Sequence, residues 1–288
     1  MSETYHYNLP VCLPIFRKYM ENEKTAILSF LLPEEKSMKV VPGQYFMLWL
    51  PGDDEIPIAV NHYQKKTISF AICGVGPTSN AIIQKEEKCL IGLRGPFGNG
   101  FNLDHNKNVV IIAGGIGIAP LRFLVHQLIN NSFISRKIIL IQGARTKTEL
   151  LFREEFEKLP ISTDFCTEDG SYGFHGLISE KIETTLDNLL DKPLNWEIYT
   201  CGPELMLKKI LVIAQEHSLE RNLQICLADR YIRCGFGICG SCFIDDLGLS
   251  ICQDGPVFRG DVIARVDDFG KFGRGADGSK YPFANIGK

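Results

Sequence analysis

The sequence has no long apolar run, and we expect no secretory leader. Its apolar stretches, such as Val109–Ala113 and Ile138–Ile141, have the length of buried strands and fall far short of the roughly 20 residues that cross a bilayer. The opening residues Met1–His6 lack the basic-then-apolar order of a signal peptide. We therefore expect a cytoplasmic protein with no membrane partner.

An excess of charge of one sign is also missing. The 31 basic and 34 acidic residues give a formal net charge of -3, which offers no electrostatic reason to expect a nucleic acid as partner. Hydrophobic residues make up 45% and charged residues 23% of the 288 positions, as in soluble globular proteins. At roughly 100–200 residues per domain, this length suggests about two domains.

Cysteine, in contrast, is abundant. Ten cysteines are present, although disulfides are disfavoured in the cytoplasm. Six of them are scattered along the chain and are expected to be small buried apolar residues. The other four lie between Cys234 and Cys252, and this crowding needs another explanation.

The N-terminal part of the chain has the pattern of a small antiparallel β-barrel or sandwich. Short apolar and aromatic runs alternate there with Pro, Gly and charged clusters. Strands are predicted at Ala26–Leu32, Tyr45–Leu50, Thr67–Cys73 and Lys88–Leu93.

After about Asp104 the pattern changes to alternating strands and helices, which is typical of an open, doubly wound α/β domain. Strands are predicted at Val109–Ala113, Ile138–Gln142, Trp196–Thr200 and, as the last one, Leu223–Leu227. Helices are predicted to begin at Pro120, at Thr146 with its Thr-x-x-Glu capping box, and at Pro203. The final residues Arg259–Lys288, rich in Gly and Asp, are expected to pack on the surface or to be partly mobile.

The spacing of the crowded cysteines predicts an iron–sulfur cluster. Cys234, Cys239 and Cys242 follow the C-x4-C-x2-C order of plant-type [2Fe–2S] sites, and Cys252 follows sooner than in a plant ferredoxin. Glycines between the cysteines allow the positive φ values and the close approach that bring backbone amides to the cluster sulfurs. They are Gly235, Gly237 and Gly240. A four-cysteine zinc site is the alternative, although the uneven spacing matches it poorly, and unliganded thiols are a further one.

Two glycine turns between a strand and a helix predict a nucleotide site. Glycines let the backbone approach a pyrophosphate, and the N-terminus of a helix offers free N–H groups. Both turns should lie at the carboxyl edge of a doubly wound sheet, where ligands bind. The sequence is not G-x-G-x-x-G, and tight turns without a ligand remain the alternative. The residues concerned are Gly114, Gly115, Gly117, Pro120, Gly202 and Pro203.

Three further residues belong to this predicted site. Cys201 would face the nicotinamide, either as a small residue that lets an aromatic ring pack closely, which we favour, or as a reactive catalytic thiol. Gly143 and Arg145 end the second strand of the α/β domain, where the adenosine ribose would lie. Arg145 and Lys147 could hold a 2′-phosphate but are equally well explained as solvated surface charge. The choice between NAD and NADP therefore stays open.

Several motifs together resemble the ferredoxin–NADP reductase superfamily over residues 10–230. They are Pro42-Gly43-Gln44-Tyr45, Gly95-Pro96-Phe97-Gly98, Ala113–Pro120, Asp169-Gly170-Ser171-Tyr172-Gly173 and Cys201-Gly202-Pro203. The cysteine segment, with its end at Cys252-Gln253-Asp254-Gly255-Pro256-Val257-Phe258, narrows this resemblance. It closely resembles the electron-transfer subunits of dihydroorotate dehydrogenases, in which a [2Fe–2S] domain follows the reductase module.

The resemblance implies FAD in the barrel domain and NAD(H) on the α/β domain, with Asp169 at the nucleotide site. The residues implied for FAD are Pro57, Ile58, Ala59, Gly74, Gly76, Thr78 and Ser79. The superfamily's flavin strand usually reads Arg-x-Tyr/Ile-Ser or Arg-Pro-x-Ser, whereas this chain has Ile56 in place of the arginine and Ala59 in place of the serine. We therefore expect FAD to be bound more weakly or with an altered potential.

The resemblance also implies a partner, an FMN-containing dihydroorotate dehydrogenase catalytic subunit, in a heterotetrameric complex that acts in pyrimidine biosynthesis. In the family, electrons pass from that FMN through the cluster to FAD and on to NAD⁺. An alternative within the oxidoreductases is the NAD(P)H-oxidising subunit of a sulfhydrogenase or sulfite-reductase-like complex. Two others are an iron–sulfur adapter or sensor without flavin, and a zinc-stabilised nucleotide-binding module.

The predicted fold class is therefore α+β with several domains. An antiparallel β-barrel flavin domain is expected at residues 1–104, and a doubly wound α/β nucleotide domain at 105–230. A small cysteine-rich [2Fe–2S] domain is expected at 231–260, followed by a C-terminal tail at 261–288.

Overall fold

The computed structural model describes residues 7–33, 38–103, 107–130, 136–189, 195–244, 247–275 and 279–283. These ranges form a seven-stranded antiparallel sheet, a second seven-stranded sheet that is mostly parallel, and two small hairpins. The boundary predicted at 104/105 and the start of the chain at Met1–His6 lie outside the described residues. No helix in the described ranges is long and apolar enough to cross a membrane.

The first sheet forms the predicted antiparallel domain, called the β domain below. Its strands are β1 (Tyr7–Pro14), β2 (Arg17–Asn22), β3 (Thr25–Leu31), β4 (Tyr45–Trp49), β5 (Glu55–Gln64), β6 (Thr67–Cys73) and β7 (Leu90–Phe97). They lie in the order β1-β7-β4-β5-β6-β3-β2, and helix α1 (Pro77–Ile83) follows β6. Alternate residues of each strand face one side, so Phe46 and Leu48 of β4 join Phe30 and Phe70 in a buried core.

The four strands predicted in the β domain are confirmed, β6 with the predicted bounds and the other three with shifted ends, whereas β1, β2 and β5 are not predicted from the sequence. β1 and β2 lie at the two ends of the strand order, where prolines and charged side chains are tolerated. β5 contains Pro57, which argues against a strand inside a sheet.

The second sheet is the predicted doubly wound domain. Its parallel strands are β8 (Asn108–Gly114), β9 (Ile138–Ala144), β10 (Ser162–Thr167), β11 (Phe174–His175), β12 (Trp196–Cys201) and β13 (Leu223–Cys226). The helices are α2 (Ile118–Asn130), α3 (Arg153–Phe156), α4 (Ile178–Leu189) and α5 (Glu204–Glu216). α2 packs into the core on one face of the sheet, and α4 and α5 pack into the core on the other. β8 has β9 on one side and β12 on the other, so the crevice for a ligand lies beside β8.

The helix predicted to begin at Thr146 is not formed. Residues Lys147–Glu149 make a single 3₁₀ turn, and Phe152 then takes a left-handed conformation before the four-residue helix α3. The reason lies in the side chain of Glu149, whose carboxylate accepts hydrogen bonds from Arg145 at 2.7 and 3.1 Å. It therefore does not complete the predicted capping box.

Two other predicted boundaries need correction. The helix expected to begin at Pro120 begins at Ile118, which leaves the proline in the first turn, where its missing N–H costs nothing. The strand at Leu223–Cys226 is not the last one, because Val257–Arg259 (β16) pairs antiparallel with it. β16 covers what would otherwise be an open sheet edge.

The cysteine-rich segment has no core of its own. Its elements are β14 (Phe243–Ile244), β15 (Leu249–Ser250) and α6 (Ile251–Asp254). Apolar residues of this segment, such as Ile251, share the core that contains α4 and α5. Next come α7 (Gly260–Ile263), β17 (Phe272–Arg274) and β18 (Lys280–Pro282).

The C-terminal region is more deeply packed than expected, since Val266 is 5% and Phe269 1% exposed. Residues on both sides of the domain boundaries predicted at 230/231 and 260/261 therefore belong to one core.

Candidate functional site

The two glycine turns of the α/β domain meet at the carboxyl ends of β8 and β12. A Cβ atom placed on Gly117 would lie 2.4 Å from the carbonyl oxygen of Cys201 and 2.6 Å from the backbone nitrogen of Gly202. A Cβ on Gly202 would lie 3.0 Å from the nitrogen of Gly114. The two turns thus touch backbone to backbone, on the edge where the sequence predicts a nucleotide.

This edge has an open surface for a ligand. Gly115 has a φ of +51° and nothing within 4 Å of an added Cβ, so its backbone can be approached closely. The apolar side chains of Ile116 and Leu205 lie next to the turns and are 40% and 53% exposed. Pro120 is buried within α2, and Pro203 precedes the first residue of α5. The arrangement fits a dinucleotide with its pyrophosphate at the turns and its rings on the apolar side chains.

Cys201 is buried rather than open to this surface. Its side chain is 1% exposed, and Cys226 lies opposite it on the neighbouring strand. The Cys226 thiol and burial raise the pKa of Cys201 well above its usual value. The geometry favours the interpretation of Cys201 as a small packing residue over that of a reactive thiol.

The predicted adenosine end lies at β9 and β10. A Cβ on Gly143 would lie 2.8 Å from Cβ of Ile178, so this glycine lets α4 pack against the sheet. The backbone N–H of Asp169 donates to the carbonyl of Arg145 at 3.1 Å, which makes the two residues neighbours. Hydrogen bonds from the hydroxyl and the backbone N–H of Ser171 lower the pKa of the Asp169 carboxyl.

The predicted flavin strand lies in the middle of the β domain. Pro57, Ile58 and Ala59 belong to β5, are half-buried and pair with β4, where Tyr45 faces Ala59. The sequence and the fold agree that no arginine stands on this part of β5.

The predicted pyrophosphate loop of the β domain leads into α1. The hydroxyl of Ser79 accepts hydrogen bonds from the N–H groups of Val75 and Gly76 at 3.0 and 2.9 Å, which fixes the loop. Thr78 donates to the Asp53 carboxylate at 3.1 Å.

Glycines fix the shape of that loop. A Cβ on Gly74 would lie 2.3 Å from Oδ1 of Asn80, whereas one on Gly76 would meet nothing closer than 4.0 Å. Val75 is apolar and 86% exposed. The loop therefore offers an open backbone and an apolar surface, which fit a flavin nucleotide.

The four crowded cysteines form two pairs of thiols. Cys239 is close enough to Cys234 to lower the pKa of its thiol, and Cys252 is close enough to Cys242 to do the same. Cys242 and Cys252 are 3% and 0% exposed, whereas Cys239 is exposed. The site thus has an inner, buried pair and an outer pair that reaches the surface.

Backbone amides surround these sulfurs. Phe236 donates its N–H to the sulfur of Cys234 at 3.3 Å, and Gly237 donates to the sulfur of Cys252 at 3.1 Å. Burial opposes ionisation of Cys234, but the amides of Phe236, Cys239 and neighbouring residues lower its pKa to about 7. The neighbouring thiol of Cys252 lowers the pKa of Cys242 to about 6. In each pair, one thiol therefore loses its proton readily and becomes a thiolate, the form that binds metal.

The glycines of this loop have the conformation that the sequence predicts. Gly235, Gly237 and Gly240 have φ values of +76°, +75° and +76°. A side chain at these positions would be strained, so the turns depend on glycine.

The paired arrangement fits two irons better than one zinc. A zinc site needs four donors directed at one point. A [2Fe–2S] cluster instead takes two ligands on each of its irons. The pairs Cys234/Cys239 and Cys242/Cys252 supply that division.

The cysteine loop rests on the β domain through residues that the sequence did not single out for this role. Asn99 donates from its side-chain nitrogen to the carbonyls of Gln253 and Asp254 at 3.3 and 3.0 Å. Tyr45 donates to the carbonyl of Cys252 at 3.4 Å, and Arg94 donates to that of Cys234 at 3.0 Å. The signal that could have found them is their place in or beside the Pro42–Tyr45 and Gly95–Gly98 motifs.

Comparison with known families supports this division of the chain. A family model for the iron–sulfur cluster binding domain of dihydroorotate dehydrogenase B matches residues 229–264. A second one, for an oxidoreductase NAD-binding domain, matches residues 111–211. The two matches contain the four cysteines and both glycine turns, respectively.

Curated relatives match nearly the whole chain. A probable dihydroorotate dehydrogenase B (NAD(+)), electron transfer subunit, of Methanocaldococcus jannaschii is 40% identical over 264 residues, which cover 91% of this chain and 95% of the relative. A protein of the same description from Pyrococcus furiosus is 37% identical over 89% of this chain and 93% of the relative.

Solved structures share the fold. An NADH-dependent reduced ferredoxin-NADP oxidoreductase aligns with a TM-score of 0.73 and 24% identity over 93% of this chain and 95% of its own. A ferredoxin NADP+ reductase from Neisseria gonorrhoeae, with bound FAD and NADP, aligns with a TM-score of 0.61 and 20% identity over 72% and 91%. At this identity the likeness concerns the fold alone.

Proposed function

The chain belongs to the family of dihydroorotate dehydrogenase B electron transfer subunits, and we propose that it passes electrons between an FMN-containing dihydroorotate dehydrogenase catalytic subunit and NAD in pyrimidine biosynthesis. The cofactors are a [2Fe–2S] cluster, FAD and NAD(H). A nicotinamide exchanges hydride, a cluster exchanges single electrons and a flavin does both, so the flavin stands between the other two. The residues of this chain bind and separate the three groups.

Each group has its own set of residues in this proposal. The cluster is held by Cys234, Cys239, Cys242 and Cys252. FAD lies against β5 and the loop before α1, with contacts to Pro57, Ile58, Ala59, Gly74, Gly76, Thr78 and Ser79. NAD(H) lies on the carboxyl edge of the parallel sheet, with contacts to Gly114, Gly115, Gly117, Pro120, Gly143, Arg145, Asp169, Gly202 and Pro203, whereas Cys201 packs beneath this edge.

The observation that carries the proposal is the orientation of the cysteine loop. The buried pair Cys242/Cys252 lies against the β domain, where Tyr45 contacts Cys252 and pairs with Ala59 of the flavin strand. Cys239 of the outer pair is exposed, and Ile238 beside it is an apolar residue that is 81% exposed. The buried pair thus faces the flavin strand, and the Ile238–Cys239 end of the loop is available to a partner.

An apolar surface at the outer thiol pair suits docking of the catalytic subunit. Phe236 is 44% exposed and, with Ile238, forms the apolar surface beside Cys239. Exposed apolar residues in one place are typical of sites that bind another protein. We propose a heterotetramer with the catalytic subunit, because that is the assembly implied by the resemblance.

We also propose a cytoplasmic location. None of the ten cysteines is in a disulfide bond, as expected for a reducing compartment. Labile thiolate-bound iron is compatible with the same conditions.

The proposal is tested on protein isolated without oxygen, together with whatever co-purifies. Iron and acid-labile sulfide in equal amounts, one FAD per chain, and an FMN-containing partner are expected. The complex should reduce NAD⁺ when dihydroorotate is supplied, and the isolated chain should not. A colourless protein with zinc, or one that co-purifies with a hydrogenase or a sirohaem subunit, would contradict the proposal.

A further inference from the structure

Arg94 is a buried cation beside the first cysteine of the cluster loop. It lies on β7 of the β domain and is only 6% exposed. Its Nε and Nη2 donate to the Glu55 carboxylate at 2.9 and 2.5 Å, and Nη2 also donates to the carbonyl of Cys234 at 3.0 Å. The guanidinium lies over the rings of Phe97 and Phe236, 4.9 and 4.5 Å from their centroids.

The third nitrogen of this guanidinium has unused hydrogen-bonding capacity. Nη1 is buried and has no hydrogen-bond partner among the described residues. A Cβ on Gly235 would lie 3.6 Å from it, so Nη1 faces the backbone of the cysteine loop. A buried donor on a cation is costly unless an acceptor or a negative charge is close to it. Arg94 therefore donates one hydrogen bond to the cysteine loop through Nη2 and presents a second, unused donor, Nη1, to the same loop.

Without the cluster, the positive charge of Arg94 is nearly balanced by the negative charge of Glu55, with which it forms an ion pair. The Glu55 side chain is 20% exposed. A [2Fe–2S] cluster with four thiolates is anionic, and it gains one further negative charge for each electron it accepts. A fixed positive charge nearby therefore favours the reduced cluster, and a fixed negative charge disfavours it.

We propose that Arg94 is a positioning residue that fixes the Cys234 end of the cluster loop on the β domain, and that its charge, opposed by that of Glu55, sets the reduction potential of the cluster. This inference rests on the proposed function. Phe236 and Phe97 exclude water from the guanidinium and thereby keep its charge effective at short range.

The test uses the full chain, isolated without oxygen and titrated with dithionite, which donates one electron to each cluster. Electron paramagnetic resonance of the reduced cluster gives the ratio of reduced to oxidised form at a fixed potential. Arg94→Gln should lower this ratio about tenfold, a shift of 59 mV for one electron. Glu55→Gln should raise it by a similar factor, and Arg94→Lys should leave it near that of the unmodified protein.

The two variants are expected to change the ratio of reduced to oxidised cluster in opposite directions, and this distinguishes an electrostatic role of the ion pair from a structural one. Arg94→Gln and Glu55→Gln break the same contact, so a merely structural role predicts similar losses of iron and of melting temperature and no signed change of the ratio. If Arg94→Gln loses its iron, the ratios measured for Glu55→Gln and Arg94→Lys still decide between an electrostatic and a structural role. A ratio in Glu55→Gln that is unchanged or lowered overturns the inference. Absence of iron and sulfide from the unmodified protein would instead overturn the proposed function.

Discussion

The hydroxyl of Tyr45 lies 3.4 Å from the carbonyl oxygen of Cys252, a residue 207 positions further along the chain. The same tyrosine pairs through its backbone with Ala59 on the flavin strand. Its ring lies 5.8 Å from that of Phe97, and burial together with the nearby cysteines raises its pKa. Tyr45 therefore joins the strand proposed to bind FAD to the buried thiol pair.

This contact predicts different results for two substitutions of Tyr45. Tyr45→Phe removes one hydrogen bond and keeps the ring, so it should cost about 0.5–1.5 kcal/mol of unfolding free energy and leave the iron content unchanged. Tyr45→Ala also removes the packing, and it should cost about 3–5 kcal/mol. Thermal melts and iron analysis measure both effects. Loss of iron in Tyr45→Phe would show that the hydroxyl, rather than the ring, holds the loop.

Replacement of the exposed cluster cysteine separates the cluster from the nucleotide site. Cys239→Ser should remove the visible absorbance of the cluster, whereas NADH should still reduce the flavin, because the glycine turns belong to a different part of the fold. Cys12→Ser is the matched control, since Cys12 is also an exposed cysteine and lies on β1. Loss of flavin reduction in a folded Cys239→Ser variant would refute the separation of the two sites.

The glycine turns make a similar prediction for NADH binding. In Gly117→Val the new side chain meets the backbone of Cys201 and Gly202, so the two turns must move apart. The apparent KM for NADH in flavin reduction should rise by about tenfold, the effect of roughly 1.4 kcal/mol of lost binding. Gly248→Asn is the control, because Gly248 has a φ of +63° with open space around it and Asn tolerates that conformation. An unchanged KM in Gly117→Val would show that this turn is structural.

Local chemistry explains which parts of the site could be predicted from the sequence. The cysteine spacing and the positive φ values of Gly235, Gly237 and Gly240 depend on neighbours within a few residues. The contact of Arg94 with Cys234 spans 140 positions and could not be predicted, because only the fold brings the two together. The wrong prediction of a helix beginning at Thr146 has the opposite cause. A local signal was present, and a competing ion pair with Arg145 removed the carboxylate it required.

That ion pair also predicts the nucleotide preference. Arg145 is one of the two residues, with Lys147, that could bind a 2′-phosphate, but Glu149 holds its guanidinium with two hydrogen bonds and raises its pKa. We expect the unmodified protein to prefer NADH. Glu149→Gln should lower the KM for NADPH several-fold and leave that for NADH nearly unchanged, as measured by flavin reduction with each nucleotide.

The double variant Arg145→Gln with Glu149→Gln is the control for this prediction, since it lacks the cation that would bind the phosphate. It should show no gain with NADPH. Equal gains in the single and the double variant would mean that Arg145 takes no part in the choice of nucleotide.

The interface between the β domain and α2 predicts a loss of stability in mild acid. Burial, followed by the nearby charge of Arg122, lowers the pKa of His62 below its usual 6.5, and the ring lies 5.5 Å from that of His126. The unfolded chain therefore takes up a proton on His62 at a higher pH than the folded protein does. Stability contributed by the neutral ring is present above pH 6.5 and declines as the pH falls below that value.

Replacement of His62 tests this sign. His62→Gln cannot take up the proton, so its melting temperature should fall less than that of the unmodified protein between pH 7.5 and pH 5.5. Glu155 accepts a hydrogen bond from His126 and forms an ion pair with Arg122. Burial alone would raise the pKa of Glu155, but these two contacts outweigh burial and lower it. Its contribution is consequently lost only at lower pH, below its usual 4.5. A parallel decline of His62→Gln and the unmodified protein would assign the acid sensitivity to another group.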